Sequence, residues 1–151
     1  MAILKEELKS LALGVIKKEA DAVMNLQPFV DENFINILNL IFNSKGRLII
    51  TGIGKSAIIG SKIVATMNST GTPSIFMHAA DAIHGDLGII QPDDIVMCIS
   101  KSGNTPEIKV LVPLIARMGN KLIAMVSNVN SYIAQPSDFI LPTTVTEEAC
   151  P

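Results

Sequence analysis

The first third of the chain carries apolar side chains at helical spacing. In residues 2–25 they recur every three or four positions with charged residues between them, at Leu4, Leu8, Leu11 and Val15. This pattern predicts one helix, which Pro28 separates from a second helix running from about Asp31 to Asn43. The second helix places its apolar face at Phe34, Ile37, Leu38 and Ile41. Asp31 is a suitable N-cap, and Gly46 is a suitable stop signal.

From Arg47 onwards the pattern changes to short apolar runs that alternate with helical stretches. The predicted strands are Leu48–Thr51, Ser74–Met77, Ile95–Ser100, Leu122–Val126 and Phe139–Leu141. The predicted helices cover roughly 55–69, 80–84, 105–118 and 131–135. Such alternation predicts an α/β fold with right-handed β–α–β units and a five-stranded, doubly wound parallel sheet. Residues 1–46 would form a helical segment packed on a sheet domain of residues 47–151, and ligands would bind beyond the carboxyl ends of the strands.

Composition supports this fold and argues against nucleic acid as a partner. Hydrophobic residues make up 48% of the 151-residue chain and aromatic residues only 4%, an aliphatic bias that suits a parallel sheet covered on both faces. The formal net charge is −2 without a basic stripe, so nucleic acid is not an expected partner.

The termini and the cysteines predict a cytoplasmic protein without a membrane span. Residues 1–13 contain four charged residues where a signal peptide needs an apolar core. The longest uncharged stretch, residues 63–80, is interrupted by polar residues, Gly71 and Pro73. Cys98 and Cys150 fit neither a disulfide framework nor a zinc site, which favours a reducing compartment. No ligand spacing requires a metal, and no cofactor is expected.

The stretch RLIITGIGKS, Arg47 to Ser56, ends in a glycine turn followed by Lys-Ser. A nucleotide-binding P-loop needs a glycine five positions before Gly54, where this chain has Ile49. A dinucleotide fold needs a carboxylate at the end of the second strand, where only Asp81 lies a little beyond, so this reading is weak. The turn suits a single phosphate at a helix N-terminus. The alternative is that the glycines only turn the chain and that Lys55 is solvated.

The stretch SKSGNTPEI, residues 100–108, follows the third strand and strengthens the phosphate interpretation. It carries three hydroxyl groups around Gly103, on Ser100, Ser102 and Thr105. Hydroxyl groups and free backbone N–H groups together satisfy phosphate oxygens without arginine. Pro106 suits the first helical position, and Glu107 falls in the first turn. The alternative is an ordinary helix cap in which Glu107 interacts only with the helix dipole.

These motifs resemble the SIS (sugar isomerase) domain family and, within it, the D-arabinose 5-phosphate isomerases. The resemblance covers nearly the whole chain and rests on five segments in order: Gly52–Ser56, Ser69–Ser74, His78–Gly88, Ile99–Ile108 and Glu147–Pro151. It implies a flavodoxin-like sheet and an enzyme, an aldose–ketose isomerase that interconverts D-ribulose 5-phosphate and D-arabinose 5-phosphate through a cis-enediol. The product would supply synthesis of 3-deoxy-D-manno-octulosonate (Kdo) for lipopolysaccharide or capsule, and the protein would be a homo-oligomer, usually a tetramer.

The resemblance also assigns roles to individual residues. The substrate phosphate would be held by Gly54, Ser56, Ser100, Ser102 and Thr105. Four residues would surround the reacting sugar: Lys55, Glu107, Glu148 and His84. A carboxylate or a histidine can serve as the base, and Lys55 can balance charge on the enediolate oxygen. His84 could instead hydrogen-bond Asp86 and order its loop, and Lys101 reads as an ordinary surface charge.

Two alternatives to this enzyme remain open from the sequence. SIS domains also serve as non-catalytic modules that bind sugar phosphates, and loops that recognise only phosphate do not separate a pentose from a hexose substrate.

Relatives also continue past the equivalent of Pro151 with a closing helix, a histidine and a pair of CBS domains. The expectation is therefore that part of the fold is missing and that residues 1–151 alone are poorly stable or associate.

Overall fold

The computed structural model describes residues 5–145 and 147–149. In chain order the elements are α1 (Lys5–Met24), α2 (Glu32–Phe42), β1 (Leu48–Gly52), α3 (Lys55–Ser69), β2 (Ser74–His78), α4 (Ala79–Ile83), β3 (Ile95–Ile99), α5 (Pro106–Met118), β4 (Lys121–Val126) and β5 (Phe139–Pro142). Short 3₁₀ turns lie at Gln27–Phe29 and Asp86–Ile89. In the described ranges, no helix is both long enough and apolar enough to cross a membrane. Cys150 lies outside these ranges.

The strands form one five-stranded sheet in the order β2-β1-β3-β4-β5, and every neighbouring pair is parallel. The predicted α/β class with a parallel sheet is confirmed. The chain moves outward from β1 to β2 and then returns to place β3 on the other side of β1. This reversal creates a switch point between β1 and β3, where the loops after these two strands diverge and leave a crevice.

Each face of the sheet packs against its own helices. On one face, Ile108, Leu111 and Ile115 of α5 belong to a buried cluster with the small residues of α4. On the other face, Ile37 of α2 is buried with strand residues such as Ile50, and side chains of α3 pack against them. The sheet is thus doubly wound. Cys98 of β3 is a buried free thiol, and burial raises its pKa to about 12, so it stays protonated at neutral pH.

Two local predictions need correction. The predicted helix near 131–135 is a series of turns, because the Ile133 N–H donates across to the Gly103 carbonyl at 3.2 Å and does not start a helix. Leu38 is 47% exposed, and Leu40 packs against the sheet in its place. The second helix ends at Phe42 with Asn43 as its C-cap, as predicted. Gly46 is needed for close contact, since a Cβ there would overlap the backbone of residues 93–94.

The two N-terminal helices differ in how they contact the sheet. The α2 helix begins as predicted, because the Asp31 carboxylate accepts a hydrogen bond from the Phe34 N–H at 3.0 Å. It packs on the sheet through Ile37, and the Asn33 side chain donates to the Ile140 carbonyl at 2.7 Å. The α1 helix has no buried residue. The division into residues 1–46 and 47–151 stays a prediction.

A buried ion pair fixes the amino-terminal edge of the sheet. The Asp94 carboxylate is almost fully buried and accepts from the Arg47 guanidinium at 2.6 and 3.1 Å. It also accepts from the backbone N–H groups of Arg47 and Gln91 at 2.7 and 2.8 Å. Burial acts to raise the pKa of Asp94, but these hydrogen bonds outweigh it and hold the pKa below its ordinary value.

Replacing Asp94 by asparagine should therefore destabilise the fold and change its response to acid. We expect a loss of roughly 1.5–3 kcal/mol at pH 7, the range for hydrogen bonds to a charged group. Because the folded pKa of Asp94 is depressed, its contribution is present above the ordinary aspartate pKa and is lost as the pH falls through the lowered value. Urea unfolding of both proteins from pH 7 down to pH 2 measures this. The two curves should converge below about pH 4; a constant gap would contradict the assignment.

Candidate functional site

A cavity of about 440 Å³ opens at the carboxyl edge of the sheet, at the switch point between β1 and β3. It is lined by Ile53, Ser56, Ile99, Ser100, Lys101, Ser102, Thr105 and Ser127. The structure thus brings together the four hydroxyl residues that the sequence proposed as a phosphate site. They come from the first turn of α3 and from the loop before α5. Both helix N-termini are directed at the same edge, where unpaired N–H groups favour an anion.

The loop after β1 needs glycine for two different reasons. Gly54 has φ of +58° and nothing within 4 Å of an ideal Cβ, so its requirement is conformational. At Gly52 a Cβ would lie 3.2 Å from the Ile99 carbonyl oxygen and from Ser56, so its requirement is space. Close approach of β1 and β3 here lets α3 begin at once, with Lys55 and Ser56 in its first turn.

The loop after β3 holds its hydroxyl groups in a fixed arrangement. Ser100 is only 3% exposed; its Oγ accepts from the Gly103 N–H at 3.1 Å and lies 3.1 Å from the Thr105 Oγ1. The Ser102 Oγ accepts from the Asn104 N–H at 3.2 Å. The Ser102 O–H group is available to donate to a bound anion, and in the Ser100–Thr105 pair only the hydroxyl that accepts from the other keeps its O–H group available.

A turn formed by residues 128–134 supports this loop from behind. The Ile133 N–H donates to the Gly103 carbonyl at 3.2 Å, and the Tyr132 N–H donates to the Asn104 Oδ1 at 3.3 Å. Gly103 has φ of +64°, and a Cβ there would overlap the Ser131 side chain. The segment whose helical prediction was wrong therefore has a defined part in the site: it holds the conformation of the hydroxyl loop.

Lys101 lines the cavity and pairs with a distant glutamate. The Lys101 ammonium contacts the Glu148 Oε1, although the two residues are 47 positions apart in the chain. The hydrogen bond and charge of Lys101 lower the pKa of Glu148, and the charge of Lys55 lowers it further. The roles of Lys55 and Glu148 around a sugar stay predictions.

Glu107 and His84 occupy less enclosed positions. Glu107 is partly buried in the first turn of α5, two residues after Thr105. His84 is exposed at the C-cap of α4 and does not line the cavity. A hydrogen bond between the His84 side chain and Asp86, the structural alternative, does not occur within residues 5–145 of the structure. The catalytic roles of both residues stay predictions.

The sequence interpretation missed two polar residues that line the cavity, Lys101 and Ser127. The sequence presents Lys101 as an ordinary surface charge, and its contact with Glu148 shows that it belongs to the site. Ser127 follows β4 directly and donates its Oγ to the Thr143 carbonyl at 2.8 Å. Ser127 directly follows a predicted strand. This is the same sequence signal that identified the loops after β1 and β3, so it could also have identified Ser127. Within residues 5–145 and 147–149, no group of three or more His, Cys, Asp or Glu side chains is arranged to hold a metal ion.

A parallel α/β sheet whose switch point carries a hydroxyl-lined cavity between two helix N-termini has the geometry of a phosphate-binding α/β protein. Comparison with known proteins makes this class specific. The SIS domain family matches residues 40–150. The chain belongs to the SIS domain family.

Two curated relatives are also similar to this chain over most of its length. The chain is 46% identical over 140 residues to the arabinose 5-phosphate isomerase KdsD of Pseudomonas aeruginosa, covering 93% of this chain and 43% of that protein. It is 45% identical over 137 residues to the arabinose 5-phosphate isomerase KpsF of Escherichia coli strain CFT073, covering 90% and 42%. The chain thus spans about two fifths of the length of these curated relatives.

A solved structure has the same fold. The c3406 protein of Escherichia coli CFT073, in complex with arabinose 5-phosphate, superposes with a TM-score of 0.89 at 36% identity, covering 97% of this chain and 78% of that one. The predicted fold class and the predicted family are both confirmed.

Proposed function

We propose that this protein is an aldose–ketose isomerase that interconverts D-ribulose 5-phosphate and D-arabinose 5-phosphate through a cis-enediol. The observation that carries the proposal is the cavity in which Ser56, Ser100, Ser102 and Thr105 meet beneath two helix N-termini. Lys101, which pairs with Glu148, belongs to its lining. The relatives named arabinose 5-phosphate isomerase support the choice of reaction. The product would supply Kdo synthesis, and the protein would act in the cytoplasm without a cofactor.

The phosphate end of the substrate would be bound by hydroxyl and backbone N–H groups. A phosphate monoester offers several strong acceptor oxygens, and the cavity faces it with hydroxyl groups on four side chains and with the first turns of α3 and α5. Lys101 adds positive charge in the lining, and Lys55 adds positive charge in the first turn of α3 beside Ser56. Recognition of this kind fixes one end of the sugar and places the reacting carbons toward the charged residues.

The reaction needs one proton moved between two neighbouring carbons. A base removes a proton from C1 of the ketose, the C2 carbonyl oxygen becomes a hydroxyl, and the cis-enediol forms. Return of a proton to C2, with loss of the proton on O1, gives the aldose, so the substrate and the product are isomers. Glu107 and Glu148 are proposed as the carboxylates for these transfers, and Lys55 as the cation that stabilises the enediolate oxygen.

A variant of the hydroxyl loop should weaken binding without removing the chemistry. Replacing Thr105 by valine keeps the shape of the side chain and removes one donor to phosphate. We expect the KM for D-ribulose 5-phosphate to rise about tenfold or more, the scale of one hydrogen bond to a charged group, with a much smaller change in kcat. Steady-state kinetics measures this, with Thr66→Val on α3 as a matched control. An equal KM in Thr105→Val and the unmodified protein would contradict the phosphate site.

A direct activity assay tests the proposal itself. Incubation of the intact protein with D-ribulose 5-phosphate, followed by ¹H NMR, should show D-arabinose 5-phosphate as it forms, and unphosphorylated D-ribulose should react far more slowly. The second candidate is a module that binds sugar phosphates without catalysis, which the position of His84 outside the cavity lining favours. Saturable binding of D-arabinose 5-phosphate without interconversion would select this second candidate.

We also propose that the protein works as a homo-oligomer, usually a tetramer in the family that the chain resembles. The α1 helix buries none of its residues and exposes six large apolar side chains: Leu8, Leu11, Leu13, Ile16, Val23 and Met24. Contact with a second copy would remove this surface from water. Light scattering after size-exclusion chromatography should show a smaller assembly for Leu11→Glu than for Val110→Glu, a control on the exposed face of α5. An unchanged mass in Leu11→Glu would exclude α1 from the contact.

A further inference from the structure

Lys101 has a backbone held by hydrogen bonding and a side chain that is largely exposed to solvent. Its carbonyl accepts from the Ser127 N–H at 3.1 Å, and its neighbours Ser100 and Ser102 belong to the hydroxyl loop. Its side chain is 63% exposed and is paired with an equally exposed carboxylate, that of Glu148. A lysine ammonium on four methylene groups can change partner at little cost when its backbone does not move.

The Lys101 ammonium has two possible partners, a carboxylate and an anion bound in the cavity. One is the Glu148 carboxylate, which it contacts in this structure. The other is the hydroxyl-lined cavity, of which Lys101 is itself a lining residue. A phosphate dianion there would carry more charge than a carboxylate and would be held between helix N-termini, so it would compete strongly for the ammonium.

We propose that Lys101 is a shuttle that leaves Glu148 and pairs with the phosphate when a sugar phosphate occupies the cavity. This inference rests on the proposed function, in which Glu148 transfers protons. Substrate binding would then free the carboxylate at the moment when it is needed as a base. Lys101 is a positioning residue in this account, because it acts on the reacting carbons only through Glu148.

The other charges near Glu148 determine the pKa of its carboxylate after Lys101 has moved away. Lys55 remains close enough to lower the pKa of Glu148. The neighbouring Glu147 is paired with Lys18 at 3.2 Å and adds little. Loss of the Lys101 contact should therefore raise the pKa of Glu148 toward its ordinary value, which makes the carboxylate a stronger base.

An NMR titration with inorganic phosphate tests the shuttle without requiring turnover. Glutamate labelled with ¹³C at the carboxyl carbon, with the Glu148 signal assigned by Glu148→Gln, reports the pKa of this residue. In the unmodified protein, saturating phosphate should raise the pKa of Glu148. In Lys101→Met, the pKa should be higher already and should change less on addition of phosphate.

The same variants separate the shuttle from its alternatives. Lys101→Met should bind phosphate about tenfold more weakly, Lys101→Arg should restore most of the affinity, and Lys45→Met, at the opposite edge of the sheet, should bind normally. An equal pKa change in the unmodified protein and in Lys101→Met would indicate direct repulsion by phosphate and would overturn the shuttle. Isomerisation without a Lys101-dependent change would overturn the shuttle alone, and a Lys101-dependent change without isomerisation would overturn the proposed function alone.

Discussion

Replacing Glu107 by glutamine should lower kcat for D-ribulose 5-phosphate by about 10²–10⁴-fold, the range that one positioned general base contributes. Glu107 is partly buried in the first turn of α5, two residues after a hydroxyl that lines the cavity. The substitution keeps the size of the side chain and removes its capacity to accept a proton. Binding of inorganic phosphate, measured by calorimetry, should change little because the phosphate donors lie on other residues.

Glu32 provides a matched control for this variant. It occupies the first turn of α2, as Glu107 does in α5, so Glu32→Gln removes the same charge near the same kind of helix terminus. We expect normal kcat from Glu32→Gln. Equal activity in the two variants would remove Glu107 from the chemistry and leave Glu148 as the remaining carboxylate of the proposed site.

The second large effect is expected from Gly103→Ala. Alanine at φ of +64° costs about 1–2 kcal/mol, and overlap with the Ser131 side chain adds roughly 1–3 kcal/mol of overpacking strain. The free energy of unfolding should therefore fall by roughly 2–5 kcal/mol. Because Gly103 donates to the Ser100 Oγ, phosphate affinity should also fall. Urea unfolding and calorimetry measure the two effects.

Two further variants separate the two causes. Gly119 also has positive φ, +81°, but nothing lies within 4 Å of an ideal Cβ, so Gly119→Ala should show only the backbone cost. Adding Ser131→Gly to Gly103→Ala removes the overlapping side chain and should recover the overpacking part. If Gly103→Ala were no worse than Gly119→Ala, the turn of residues 128–134 would not hold the loop in place.

The order of elements followed from the sequence because the signals were local. Runs such as Ile95–Ile99 are apolar throughout, as strands covered on both faces must be, and glycine or proline lies within a few residues of them. The positions of Ser100, Ser102 and Thr105 at a strand end were enough to place them in one cavity, since carboxyl ends of parallel strands share an edge.

The remaining features depend on contacts that are distant in sequence. Nothing near Lys101 indicates Glu148, which reaches it from 47 residues away. The segment at 131–135 has helical composition, but it turns because Ile133 donates to Gly103. Leu38 and Leu40 were equally plausible apolar positions, and only the packing of α2 on the sheet selects Leu40. These features can be identified only once the folded structure is known.

The most direct test of the central claim is solvent exchange during the reaction. D-ribulose 5-phosphate is incubated with the intact protein in deuterated water, and NMR follows both D-arabinose 5-phosphate and deuterium at its C2. A cis-enediol mechanism predicts product that carries solvent deuterium at C2, with both signals lost in Glu107→Gln. Binding of the sugar phosphate with neither product nor exchange would contradict isomerisation, and product that retains only substrate hydrogen at C2 would contradict the enediol route through a solvent-exchanging carboxylate.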